Sequence, residues 1–225
     1  MAFIGKKPTD APLTSSDVAD GIITNAKLAQ DIISGDTALG ATPADTDEFL
    51  VSDAGTLKRV DYSYIKGGGI TQADMYRITT DFNLATSETF ITSNWERVDT
   101  DFDKIGDGMS ESSGVFTFPE TGIYLIQVGA TIGTGGAGGG RYGEISTHFT
   151  TDDSSYTKRA YSQDNQTFGD GETNHFHQVI FDVTNVSTHK VKFATVKQQS
   201  SYNYAMRVSS TSNANSFSFI RLGDT

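Results

Sequence analysis

The sequence contains no cysteine, which removes disulfides and thiolate metal sites and leaves packing or assembly as the sources of stability. Basic residues are also scarce: 17 Lys and Arg stand against 28 Asp and Glu, a formal net charge of −11. Such a chain repels a phosphate backbone instead of releasing its counterions, so no nucleic-acid partner is expected. No apolar run reaches the roughly 18 residues of a membrane helix, and the opening "MAFIGKKPTDAPLTSSD" has a basic pair without a signal peptide's apolar stretch. The expectation is a product soluble where it is made, suited to a reducing cytosol, with no membrane insertion. Catalytic signatures are missing too. There is no G-x-S-x-G elbow, no H-E-x-x-H and no Cys to pair with His, so the expectation is a non-enzyme without catalytic residues.

What is present falls into three textures. Residues 1–40 form a leader dominated by Ala, Asp, Thr, Gly and Ile, in which "DGIITNAKLA" from Asp20 is loosely echoed by "DIISGDTALG" from Asp31. Two readings of it stay open: a short helix capped at Thr24 or Asn25, with Leu28 and Ile32 on one face, or a β segment. Under either reading the apolar stripe is too narrow to fold alone, and it gains partners if identical copies wind around one axis. Residues 41–69 form a small connector. Within it, "ATPADTDEFLVSDAGTLKRVDYSYIK" predicts a strand, an Asp-Ala-Gly turn, a second strand and a short helical end. Gly67, Gly68 and Gly69 then read as a hinge.

Residues 70–225 read as strand after strand. In "FTFPETGIYLIQVGATIG" a Pro-Glu-Thr-Gly break separates two apolar runs, which predicts two strands meeting at a tight corner. Beyond the corner Tyr124, Ile126, Val128, Ala130 and Ile132 share one face and are assigned to the core. Ile123, Leu125, Gln127, Gly129 and Thr131 share the other, which is available to a neighbouring subunit. "HFHQVIFDV" places His177, Val179, Phe181 and Val183 on one side, and the following "TNVST" turn predicts a hairpin with "HKVKFATVK". "NSFSFIRLGDT" supplies a last strand. Many short strands with polar turns point to a jelly-roll sandwich.

The residues Phe116, Phe118, Pro119, Gly122 and Tyr124, with Phe217, Ile220, Arg221 and Leu222 near the end, resemble the complement C1q and tumour-necrosis-factor-like jelly roll over roughly residues 72–223. That resemblance implies a homotrimer. Phe219 stands where the family has a small residue, which implies altered packing near the subunit axis. The leader and "DTDEFLVSDAGTLKRVDYSYIK" are similar to tail-fibre-like proteins of tailed bacteriophages. They imply a virion protein whose N-terminal segment joins other phage tail or capsid proteins and holds a trimeric head outward.

Several motifs point to chemistry and are read as structure. Gly133, Gly135 and Gly138 match G-x-G-x-x-G after a strand, but "RYGEISTHFTTDD" alternates as a strand where the dinucleotide fingerprint needs a helix, so no cofactor is expected. Asp99, Asp101 and Asp103 have calcium-loop spacing, yet Lys104 occupies the required Gly position and no Glu follows at the twelfth, which excludes an EF-hand; a solvated strand face is expected, with a looser cation site as the alternative. His175 and His177 project from one strand face without an identifiable third ligand, and they are read as a packed pair, with no metal expected.

Recognition chemistry is better represented. "TDDSSYTKRAYSQDNQTFGDGETN" and "QQSSYNYAMRVSSTSNANS" are read as loops rich in Tyr, Ser, Asn and Gln, which combine rigid amphipathic contacts with adaptable hydrogen bonds. Tyr156, Tyr161, Tyr202, Tyr204 and Arg207 are the candidates for contact with a host surface glycan or protein. The expected fold is mainly β: an extended leader, a small connector and a trimeric C1q/TNF-like jelly-roll β-sandwich. The expected function is host attachment in a virion. A head-decorating fibre or tail adaptor without receptor specificity and a surface polysaccharide-processing enzyme are the alternatives.

Overall fold

The computed structural model describes residues 18–19, 37–100, 102–135, 142–165, 171–200 and 203–225. The leader, apart from residues 18–19 and 37–40, lies outside them. The chain divides into two compact units, Met1–Gly67 and Gly68–Thr225.

In the first unit, β1 (Glu48–Asp53) and β2 (Thr56–Asp61) pair antiparallel from Glu48↔Asp61 to Asp53↔Thr56. The tight turn between them uses two left-handed residues, Ala54 at φ 47° and Gly55 at φ 86°, the geometry that matches strand twist in two-residue hairpins. A one-turn helix, α1 (Tyr62–Ile65), follows. This is the strand–turn–strand–helix order expected from the sequence.

The second unit contains β3 (Ala73–Ile78), β4 (Phe82–Asn83), β5 (Thr89–Phe90), β6 (Trp95–Arg97), β7 (Lys104–Ile105), β8 (Ser110–Ser112) and β9 (Val115–Thr117). Long strands then dominate: β10 (Gly122–Gly135), β11 (Tyr142–Thr150), β12 (Thr157–Asn165), β13 (Glu172–Val183), β14 (Lys190–Lys197), β15 (Asn203–Met206) and β16 (Asn215–Gly223). They form an 8-stranded sheet centred on β10, with β13 on one side and β16, β3 and β6 on the other, and a 6-stranded sheet in the order β12-β11-β14-β9-β8 with β5 on β14. The fold is a jelly-roll sandwich, mainly β as expected.

The core fills the space between the sheets, and alternation places it there. Tyr124, Ile126, Val128, Ala130 and Ile132 of β10 are all buried, as are His177, Phe181 and Val183 of β13. Trp95 stands edge-on to Phe116 at 4.8 Å and to Phe217 at 4.6 Å, and its Nε1 donates to the Ile91 carbonyl at 3.0 Å. Large rings joined edge-to-face, with the indole N–H satisfied, hold the two sheets in one register.

Both sequence corners cross between sheets. β9 belongs to the smaller sheet and β10 to the larger, so Pro119–Gly122 carries the chain across. Gly122 sits at φ +147°, and a Cβ there would lie 2.5 Å from Arg221 Nε and 2.7 Å from the Gly223 carbonyl, so glycine is required. The Tyr124 hydroxyl donates to the Glu120 carbonyl at 3.0 Å and closes the corner. The "TNVST" turn behaves likewise, and here the expected hairpin is corrected: β13 pairs with β10 while β14 pairs with β11 and β9. A short polar turn serves an inter-sheet crossing as well as a hairpin. Phe219 points into the shared core, 1% exposed and 5.2 Å from the Phe116 ring.

Candidate recognition face and its opposite

The outer face of the smaller sheet is built on β11, whose residues from Gly143 to Thr150 are buried on both sides. Inward-facing Ile145 and Phe149 join the core. The alternate residues Glu144, Ser146, His148 and Thr150 face outward and are covered by side chains from neighbouring strands. Pairing sets His148 between Lys158 of β12 and Lys192 of β14, and the next outward-facing rung runs Tyr161, Ser146, Ala194, Phe90.

An ion network lies within these rungs. Lys158 Nζ is 2.5 Å from Glu88 Oε1 and 2.6 Å from Glu144 Oε1, and His148 Nε2 lies 3.6 Å from Glu88 and 3.0 Å from Ser146 Oγ. Burial pushes the His148 imidazole below its ordinary pKa despite the opposing pull of Glu88, so the ring is neutral at neutral pH. Burial pushes Lys158 down as well, but its hydrogen bonds to Glu144 and Glu88 outweigh this and hold it above the ordinary lysine value.

Aromatic rings frame the network. Lys192 Nζ lies 4.1 Å from the Tyr156 ring centre and 5.4 Å from that of Phe90, while Lys158 Nζ is 5.7 Å from Tyr161. Tyr156 is positioned by the turn before it, where Asp152 accepts hydrogen bonds from Thr150 Oγ1, Ser154 N and Ser155 N at 2.7, 2.9 and 2.7 Å. Those bonds, led by that from Ser155, hold the Asp152 carboxyl far below its usual range. The face therefore offers ring edges and faces, a lysine pair and carboxylate oxygens on rigid strands.

The five candidate contact residues are dispersed. Tyr156 and Tyr161 lie on this face, half-buried and 57% exposed respectively. Tyr202 lies outside the described residues. Tyr204 is corrected: it belongs to β15, fully buried with Leu84 and Ile132, because pairing with β10 turns its ring inward. Arg207 is tied to Glu172 at 2.8 Å. The first Tyr-rich segment carries a nine-residue strand, β12, where a loop was expected, whereas in the second only the four residues of β15 and the start of β16 are strand and residues 207–214 form a loop. His148, Glu88, Glu144 and Lys158 escaped the sequence reading, although the polar alternation in "GEISTHFT" marked one outward face.

The larger sheet has a different exterior. Its outward residues make a cross-strand row of Ile180, Leu125, Ile220, Ala73 and Ile105. Beside it run Gln178, Gln127, Ser218 and Met75, with Gln127 Nε2 donating to Gln178 Oε1 at 3.2 Å. Ile180 is 61% and Phe176 62% exposed. The row itself is apolar and uncharged, and the exposed Asp182, opposite Ile123 in the adjacent rung, borders it.

The remaining motifs are structural. His175 and His177 share the inner face of β13 as expected, at 3% and 8% exposure. His177 Nε2 is 2.8 Å from Thr147 Oγ1, and burial together with His175 lowers its pKa to about 4. The expected strand across Asp99 and Asp103 is not formed, since β6 ends at Arg97 and β7 begins at Lys104; Asp101 lies outside the described residues. Asp99 instead lies 3.5 Å from the buried Arg77, which Glu96 also holds at 2.8 Å. Gly133 and Gly135 belong to β10, Gly138 is outside the described residues, and the next element is a strand. Among the described residues no group of three or more His, Cys, Asp or Glu is placed to hold a metal ion.

Comparison with solved structures places the sandwich in the jelly-roll class of tumour-necrosis-factor-like domains. The chain is similar to the Eiger TNF of S. frugiperda, with a TM-score of 0.51 at 9% identity over 70% of this chain and 96% of that one. Murine APRIL at pH 5.0 aligns with a TM-score of 0.49 at 10% identity over 67% of this chain and 98% of that one. No family model matches the sequence, and no curated protein does. The likeness is one of fold.

Proposed function

We propose that the chain is a homotrimeric fibre protein of a tailed-phage virion, its N-terminal segment joined to other tail or capsid proteins and its head binding a host surface glycan or protein. The observation that carries this reading is the contrast between the head's two exteriors. An uncharged apolar band across several strands suits a second copy of the chain, whereas tyrosines and lysines above a fixed ion network suit a polar ligand. Three heads on one stalk bind through avidity, so weak single contacts suffice. The leader's likeness to phage fibres supplies the virion context.

Light scattering on the intact chain tests the assembly, with three copies expected; a stable monomer at low micromolar concentration overturns it. Glycan arrays probed with wild type, Tyr156→Ala and Tyr161→Ala chains test recognition. Binding that both variants weaken supports the outer face of the smaller sheet, and binding that neither changes moves recognition elsewhere. Labelling intact virions against the head tests the location.

A further inference from the structure

β12 and β13 are edge strands of different sheets: among the described residues β12 pairs only with β11, and β13 only with β10. An open groove of about 350 Å³ lies between them. The Phe149 and Phe181 rings, stacked at 4.1 Å, supply its apolar side, and Thr151, Ser155, Thr157 and Arg159 supply its polar side. A register shift places the arginine there. Thr147 pairs with Ala160 but His148 pairs with Lys158, so Arg159 is the extra residue of a β-bulge, a device that re-aims a side chain. Lys158 points to the outer face and its ion network, while Arg159 lines the groove.

Arg159 also stands apart by its charge. Arg59, Arg77, Arg97, Arg207 and Arg221 each hold a carboxylate. Among the described residues Arg159 holds none, in a chain whose formal net charge is −11. The carboxylates of the neighbouring turn are engaged elsewhere: Asp152 accepts from Thr150 Oγ1, Ser154 N and Ser155 N, and Asp153 lies 3.9 Å from Lys190 Nζ.

We propose that this groove binds an acidic sugar residue, with its carboxylate on Arg159, its hydroxyls on Thr151, Ser155 and Thr157, and its ring face against Phe149 and Phe181. The inference rests on the reading of the head as a glycan binder and names the class of glycan. A guanidinium fork matches a planar carboxylate with two parallel hydrogen bonds, and the lining holds no second cation to neutralise a more highly charged group. The volume is at the low end for ligand pockets, which suits a single ring. Of the lining, only Ile180 belongs to the apolar row of the larger sheet; the polar wall on β12 and the turn before it lies outside that row.

The test presents the intact chain with galacturonate, glucuronate and N-acetylneuraminate oligosaccharides, each beside its counterpart with the carboxyls reduced to alcohols. At least one acidic form is expected to bind about tenfold more tightly than its reduced counterpart. Arg159→Gln should lower it to the level of the reduced form with the melting temperature unchanged, and Arg159→Lys, which keeps the charge without the fork, should restore only part. Thr157→Val, on the same wall, should weaken binding about threefold. Acidic and reduced forms that bind equally, or acidic binding that Arg159→Gln leaves intact, overturn the acidic site while the glycan-binding head stands. Binding confined to neutral glycans does the same. If no glycan of either kind binds, both readings fall.

Discussion

The two sheets of the head share one core and differ on the outside, and the difference shows how strand alternation divides labour. On β10, the residues not facing the core are Ile123, Leu125, Gln127, Gly129 and Thr131, small or uncharged. On β11 they are Glu144, Ser146, His148 and Thr150, all polar, all buried, and tied into the lysines and carboxylates around them. Desolvating the first exterior costs little, because few polar groups lose water. On the second the water lies on the partly exposed Lys158 and Glu88 around those β11 residues, and displacing it requires a ligand that replaces its hydrogen bonds. One surface is suited to a closely packed copy and the other to a discriminating polar contact.

The largest effect should come from removing what both sheets depend on. Tyr124→Ala takes a ring that is 1% exposed out of the core and should cost about 3 to 5 kcal/mol, read as the denaturation midpoint. An unchanged midpoint would show that the core face of β10 is misassigned. Acid comes next. The His177 pKa is about 4 in the fold against an ordinary 6.5. The unfolded chain therefore binds the extra proton first, and the stability due to the neutral ring, complete above pH 6.5, is lost as pH falls toward 4. That loss is about 3 kcal/mol. His177→Gln should flatten the dependence of stability on pH across this window.

The remaining two predictions separate the exteriors. Leu125→Glu puts a charge in the middle of the apolar band; it should weaken self-association roughly 100-fold, about 2.7 kcal/mol, with little change in the stability of the single head. Sedimentation across a dilution series reads it. Tyr161→Ala on the opposite exterior should leave assembly and melting within about 0.5 kcal/mol of wild type. Its glycan binding should fall about tenfold, or roughly 1.4 kcal/mol. If Tyr161→Ala dissociates the trimer or Leu125→Glu abolishes glycan binding first, the two faces have been exchanged.

Alternation made much of this legible. It separated the buried from the outward residues of β10, placed His175 and His177 on one face, and located the hairpin of β1 and β2 through its Asp-Ala-Gly turn. What alternation cannot encode is which strand lies alongside which. β13 and β14 are joined by a short polar turn and both alternate, yet they belong to different sheets. The same limit explains Tyr204, whose polar sequence neighbours suggested a loop while pairing with β10 buried it. It explains the ion network too, since Glu88, Glu144 and Lys158 are distant in sequence and meet only through the rungs of the smaller sheet.

The way the chain enters the head bears on how the head would withstand a pull. Its first strand, β3, is antiparallel to the last, β16, through Ala73↔Ile220, Asp74↔Phe219, Met75↔Ser218 and Tyr76↔Phe217. Just before β3, Gln72 accepts from Arg221 N through its carbonyl at 2.9 Å and from Gly108 N through Oε1 at 3.1 Å. A tension applied through the glycine tether along β3 shears these rungs, so that they bear the load together and yield only at once. The same tension applied across the strand peels them one at a time, beginning at Gln72, and the direction of the tug thus decides whether the head grips or unzips.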